Sequence, residues 1–159
     1  MLYLDSSALV KLYFSEAGSV ELEATLKRAK DARIGVFSSV LAYAEVHAGL
    51  ARKSRDERLS DSHTSKIHDR FDEDWVSAVS PVDANISVLS FVRDILKVSP
   101  IRGADALHLA SALWLRDRSQ LSVKFGSRTE QQLTFVCSDV QLLAAAEKQR
   151  LLTLNPERI

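Results

Sequence analysis

Four acids stand among apolar neighbours, where solvation does not account for them. Asp5 ends the run Met1-Leu2-Tyr3-Leu4, and Asp139 follows Leu133–Cys137 after Ser138. Asp105 precedes Ala-Leu-His-Leu-Ala-Ser-Ala-Leu, and Glu45 is the only charged residue between Val40 and Ala51. Each has an ordinary reading that stays open at this level. Asp5, Ser6 or Ser7 can cap the helix that follows, and Asp139 can cap its own. Asp105 can cap a helix or place negative charge at its N-terminus. Glu45 can project from an exposed helix face. Gathered in one cleft, however, the four would do chemistry. Two like charges about 4 Å apart repel by roughly 4 kcal/mol at an effective dielectric of about 20. Such a cluster takes up protons or binds cations. Oxygen ligands without a Cys/His set at zinc spacing favour Mg²⁺ or Mn²⁺. A hydrated hard cation can activate water and stabilise charge on a phosphate, which suits phosphodiester hydrolysis.

Other residues near these acids have two readings as well. Ser7 and Ser138 can orient a carboxylate, a water or a phosphate, or simply cap helices. His108 lies three residues after Asp105, so the two can share a helix face; a packed structural histidine is the favoured reading, and the same holds for His47. His63 and His68 fall in a polar stretch and read as solvated. Arg102 can meet a phosphate or pair with an acid. Trp75 and Trp114 read as core or interface anchors. Cys137 reads as a small hydrophobe in a buried strand. Two basic clusters, Arg52/Lys53/Arg55/Arg58 and Arg116/Arg118/Lys124/Arg128, read as solvated faces.

Positioning the acids requires strands that end where helices begin. Leu2–Leu4, Ile34–Phe37, Pro81–Val82, Leu133–Cys137 and Leu151–Leu154 read as short strands. Between them run helical patterns: Ala8 to Tyr13, then Val20 to Leu26, and Val40 to Leu50 capped by Ser38 or Ser39. Further helices hold Leu59, Ile67 and Phe71, with a break expected at Ser62–Lys66, and Ile86 to Leu96, with Asp83 as cap. Ala104–Leu115 and a segment with Leu142, Leu143 and Ala146 complete the set. Ser119–Gln132 reads as a loop. Alternating strands and helices call for a parallel sheet covered on both faces. In such a sheet Asp5 and Asp139 fall at the carboxyl ends of strands, where ligands bind.

The 159 residues suit a single domain, spanning 1–159, with no repeat or linker. No apolar run nears the length of a bilayer span, and no signal peptide is visible, so a cytoplasmic protein without membrane contact is expected. A single cysteine excludes an internal disulfide. The formal net charge of zero lacks the basic excess by which many nucleic-acid binders are recognised, so any such role would rest on local charge.

Leu4-Asp5-Ser6-Ser7-Ala8-Leu9, Ser39-Val40-Leu41-Ala42-Tyr43-Ala44-Glu45-Val46, Arg102-Gly103-Ala104-Asp105-Ala106-Leu107-His108-Leu109-Ala110 and Phe135-Val136-Cys137-Ser138-Asp139 together resemble a PIN domain, in that family's order and spacing. The resemblance is strongest to VapC-type toxins of toxin–antitoxin pairs. It implies a single-domain three-layer α/β/α sandwich around about five parallel strands, and metal-dependent cleavage of RNA. By the same resemblance Asp5 and Asp105 would be the principal Mg²⁺ (or Mn²⁺) ligands. Glu45 would be a further ligand or would position water, and Asp139 would complete the set. Ser7 matches the small polar residue that follows the family's first Asp. The family further implies a cognate antitoxin, whose basic side chain would enter the acidic cleft, and a homodimer. The stretch Ser119–Gln132 is longer than the family pattern. The main alternative is a PIN-like binding module with weak catalysis. A haloacid-dehalogenase-like phosphatase wants a second acid where Ser7 stands. A receiver domain wants a Lys after its last strand, where Asn155 and Pro156 follow Leu154.

Overall fold

The computed structural model describes residues 1–124 and 132–158. In chain order these form β1 (Leu2–Leu4), α1 (Ser6–Val10), α2 (Ser19–Asp31), β2 (Val36–Ser39), α3 (Val40–Asp56) and α4 (Asp61–Ala78). Then come β3 (Ser80–Val82), α5 (Ile86–Val98), α6 (Gly103–Lys124), β4 (Thr134–Val136), α7 (Val140–Lys148) and β5 (Leu152–Leu154), closed by a 3₁₀ turn at Pro156–Arg158. The five strands form one parallel sheet in the order β3-β2-β1-β4-β5.

Side chains alternate across a strand, and that alternation divides the core. Tyr3 and Phe135 face one side, with Val88 and Ile95 of α5, Leu109 and Leu113 of α6 and Leu142 of α7. Leu2, Leu4 and Val136 face the other, with Leu9 of α1, Leu22 of α2, Val46 and Leu50 of α3 and Phe71 of α4. Helices therefore cover both faces, which gives the three layers expected. Chain order reverses at β1 and β4, neighbours paired as Leu4 opposite Val136. Their carboxyl ends form the switch point of the sheet, where an α/β fold opens a crevice.

Several boundaries differ from the sequence reading. β2 runs two residues further, because Ser38 and Ser39 pair with Pro81 and Val82 of β3; Ser39 still caps α3 by accepting the Leu41 N–H. The break expected at Ser62–Lys66 instead falls before Asp61, where Arg58 takes a left-handed φ of 54° and Ser60 caps α4. Asn85, not Asp83, caps α5, accepting from Ser87 and Val88 N–H groups. α1 is a short helix, and Leu12 and Tyr13 lie beyond it. α6 continues through Lys124, so the loop expected from Ser119 is helical in its first part; residues 125–131 lie outside the described residues. His68 is not merely solvated: its Nδ1 meets His47 Nδ1 at 2.6 Å, and His47 Nε2 reaches Asp72 at 2.9 Å.

The C-terminal turn is tied to the α1–α2 connection. Lys11 is 5% exposed and its ammonium donates to Glu16, to the Ala17 carbonyl and to Glu157. Glu16 also pairs with Lys53 of α3. Gly18 has φ 85°, and a Cβ there would stand 2.7 Å from the Pro156 carbonyl carbon. Only glycine permits both the left-handed backbone and that approach.

Removing the Lys11 charge strands Glu157 and leaves Glu16 to Lys53 alone, so Lys11→Met is expected to cost about 2–3 kcal/mol in urea unfolding. Lys97→Ala, which breaks an exposed pair with Asp94, should cost under about 1 kcal/mol. Burial, helped by the charge of His47 and opposed by Asp72 and Asp69, lowers the His68 pKa below its ordinary 6.5. A base with a lowered folded pKa binds fewer protons folded than unfolded. Its stabilisation is therefore present above pH 6.5 and lost as pH falls toward the folded value. Urea midpoints should drop across that window in the parent protein, and His68→Gln should flatten the drop.

Candidate active site

The acids are placed by the ends of four elements. Asp5 follows β1 and is 4% exposed. It is also the N-cap of α1, its Oδ1 accepting the Ala8 N–H at 2.9 Å. Ser7 donates to the same carboxylate at 2.8 Å, and the Cys137 thiol donates to Oδ2 at 3.1 Å. Asp139 follows β4 and caps α7 through the Gln141 and Leu142 N–H groups. Asp105 lies in the first turn of α6 and accepts the Arg102 N–H at 3.3 Å. Glu45 projects from α3 and is half-buried rather than solvated. The capping readings and the strand-end placement are thus both true of Asp5 and Asp139.

Two sets of contacts and one charge effect relate the four. Asp5 holds the Cys137 thiol, and Cys137 Sγ accepts the Asp139 N–H at 3.2 Å. Burial raises the Asp105 pKa above the usual carboxylate range; the Arg102 N–H opposes this and the charge of nearby Asp139 reinforces it. One turn on from Asp105, His108 Nε2 meets Glu45 Oε2 at 2.7 Å. Burial disfavours the Glu45 charge, yet His108 and the Ser6 hydroxyl beside Asp5 hold its pKa below the ordinary value.

Ser7 and Ser138 meet here as well. Ser7 Oγ accepts the Ser138 N–H at 3.0 Å while donating to Asp5. The Ser138 hydroxyl is buried without a hydrogen-bond partner among the described residues. Among the described residues no Lys or Arg pairs with Asp5, Asp105 or Asp139. Carboxylate oxygens with no cationic partner among the described residues are donors that suit a hard, hydrated cation. Among the described residues, however, no three His, Cys, Asp or Glu side chains converge as a ready metal cage.

Three participants escaped the sequence reading. Cys137 lies just past β4 and its thiol belongs to the acid network, so its role as a plain hydrophobe is corrected; burial, then Asp5, push the thiol pKa far up. Tyr3 reaches His108, and Ser6 reaches Glu45. The available signal was position, since Cys137 stands two residues before Asp139. Arg102 contributes its backbone to Asp105. Trp75 packs in the core against Phe71 and Tyr43, and Arg118 stacks on Trp114. Of the basic clusters, Lys53 is bound to Glu16, and Arg116 to Asp117 and the Gln149 carbonyl, so neither is simply solvated; Arg128 lies outside the described residues.

The family model of the PIN domain matches residues 2–118. Ribonuclease VapC45 and Ribonuclease VapC49, both of Mycobacterium tuberculosis, are 38% identical over 117 residues, covering 74% of this chain and 78% of theirs. Among solved structures, FitAcB from Neisseria gonorrhoeae is similar with a TM-score of 0.66 at 17% identity, over 100% of both chains. VapBC2 from Rickettsia felis, bound to a DNA fragment from their promoter, is similar with a TM-score of 0.61 at 14% identity, over 98% of both. At these identities the solved structures speak for the fold. The family match and the identity to the two ribonucleases make this chain a VapC-type member of the PIN domain family.

Proposed function

We propose that this chain is a metal-dependent endoribonuclease, the toxin of a toxin–antitoxin pair. The supporting observation is the placement of Asp5 and Asp139 just past β1 and β4 at the switch point, with Asp105 and the His108–Glu45 pair on the flanking helices and, among the described residues, no Lys or Arg paired with Asp5, Asp105 or Asp139. Asp5, Asp105, Glu45 and Asp139 would hold Mg²⁺ or Mn²⁺. Because the side chains do not converge as a cage, several of the cation's ligands would be water. A bound cation supplies stabilisation for charge building on a phosphodiester and makes water a better nucleophile. The chain's own residues then divide the work. Ser7 and Cys137 hold the Asp5 carboxylate in one orientation. Glu45, kept ionised by His108, accepts a proton from attacking water.

The partners follow from the same reading. The substrate is RNA, and a cognate antitoxin would neutralise the acids with a basic side chain. An apolar groove of about 840 Å³ between α2 and α4, lined by Leu9, Leu26, Ile34, Phe71 and Trp75, can seat a helix of that partner. On α5, Ile86, Leu89 and Leu96 are exposed along one side, Ile86 by 81%; this stripe suits a homodimer contact. Among the described residues no helix is long and apolar enough to cross a membrane. We place the protein in the cytoplasm, with its RNA.

Asp5→Asn keeps a capping oxygen, and Asn caps as well as Asp, so its fold should survive. Cleavage of RNA by Asp5→Asn and by Asp105→Asn should fall by more than about 100-fold, beyond the loss of an outer-shell partner. Excess EDTA should abolish parental cleavage and Mn²⁺ restore it. Full activity in either variant or in EDTA sinks this reading; a folded parent that binds RNA yet never cuts it establishes the binding-module alternative. Light scattering should give a dimer that Leu89→Glu converts to a monomer. Coexpression with the neighbouring gene's product should give a complex that Leu26→Glu prevents.

A further inference from the structure

His108 sits where the three elements carrying Asp5, Glu45 and Asp105 meet. It is 2% exposed and belongs to α6, one turn beyond Asp105. Its Nδ1 lies 3.2 Å from the hydroxyl of Tyr3, on β1 two residues before Asp5. Its Nε2 lies 2.7 Å from Glu45 Oε2, on α3. Tyr3 is fully buried, stacked on Phe135 with ring centroids 5.3 Å apart and edge-on to the imidazole. One imidazole thus spans strand and both helices.

The proton inventory of this chain of groups has a direction. Burial keeps the Tyr3 hydroxyl protonated; a hydrogen bond with Ser111 opposes this, and the charge of Asp5 reinforces it. The phenol shares one hydrogen bond with Nδ1, a contact in which its oxygen can donate or accept. The ionised Glu45 has only lone pairs to offer, so Nε2 must carry the hydrogen. The opposite tautomer would set an Nε2 lone pair against a carboxylate oxygen at hydrogen-bond distance.

We infer that His108 is a positioning residue, held between Tyr3 and Glu45, whose Nε2–H orients Glu45 toward the other acids. A histidine that only filled the core would satisfy itself on backbone carbonyls. This one spends both nitrogens on side chains, one of them at the rim of the site. Imidazoles and carboxylates that orient ligating groups tune cation affinity without touching the cation. What Glu45 does once oriented rests on the ribonuclease reading; the hold on Glu45 rests on the geometry alone.

The test begins on metal-free protein, with long-range ¹H–¹⁵N spectra of ¹⁵N-histidine. His108 is expected to carry a hydrogen on Nε2, and Tyr3→Phe, which removes the phenol but keeps the ring, should shift its Nδ1 signal. An Nε2 without hydrogen, or an Nδ1 signal unmoved by Tyr3→Phe, overturns the inference. Mn²⁺ titration then compares parent, His108→Gln and His108→Ala. Affinity should fall about 10- to 100-fold in His108→Ala, with partial rescue in His108→Gln, whose amide can still donate to Glu45. Unchanged affinity in both overturns the inference while leaving the ribonuclease reading intact. If the parent itself neither binds Mn²⁺ nor cuts RNA, that reading fails and the tautomer spectra alone decide this one. Should His108→Ala not fold, Tyr3→Phe carries the affinity comparison, with a smaller loss expected.

Discussion

The structure depends on how it holds the buried Asp5 carboxylate at the end of β1. Among the described residues no lysine or arginine pairs with it. Lys11, the buried lysine nearest in sequence to Asp5, has its three protons committed to Glu16, Glu157 and the Ala17 carbonyl. Asp5 is instead held by neutral donors: a hydroxyl, a backbone N–H and a thiol. Hydrogen bonds to a charged acceptor contribute more than those between neutral groups, so Asp5 tolerates burial. They leave its formal charge in place, to act on whatever enters the crevice.

The same bonds build the scaffold. The Ala8 N–H that steadies Asp5 is also one of the unsatisfied donors at the start of α1. Asp139 likewise begins α7. Capping contributes about 1 kcal/mol each, which helps offset the repulsion of gathering acids. The site is therefore continuous with the helix starts, and its geometry is set by the same backbone that sets the sheet register.

This continuity explains what the sequence disclosed. Apolar runs ending in an acid, followed by helical spacing, exposed β1–α1 and β4–α7 and with them Asp5 and Asp139. Ser39 was legible as a cap because its oxygen lies one residue before a long apolar pattern. What stayed hidden depends on contacts between distant segments. Tyr3 looks like any strand aromatic until α6 brings His108 to its hydroxyl, 105 residues away. Cys137 looks like a small hydrophobe until the pairing of Leu4 with Val136 sets its thiol beside Asp5. The extension of β2 through Ser39 is fixed by β3, whose three residues carry almost no pattern of their own.

The incomplete convergence of the four acids has a physical reason as well. Each carboxylate pair drawn to about 4 Å costs several kcal/mol, against a total stability of roughly 5–15 kcal/mol for a domain. A fully closed cage of four would therefore compete with folding. Spreading the acids around a rim lowers that cost. Cys137 ties the Asp5 carboxylate to the Asp139 backbone, and His108 Nε2 meets Glu45, so these links hold the spread acids without a lysine or arginine between them. In the proposed reading a hydrated cation suits such a rim, because water molecules would span the gaps that side chains leave.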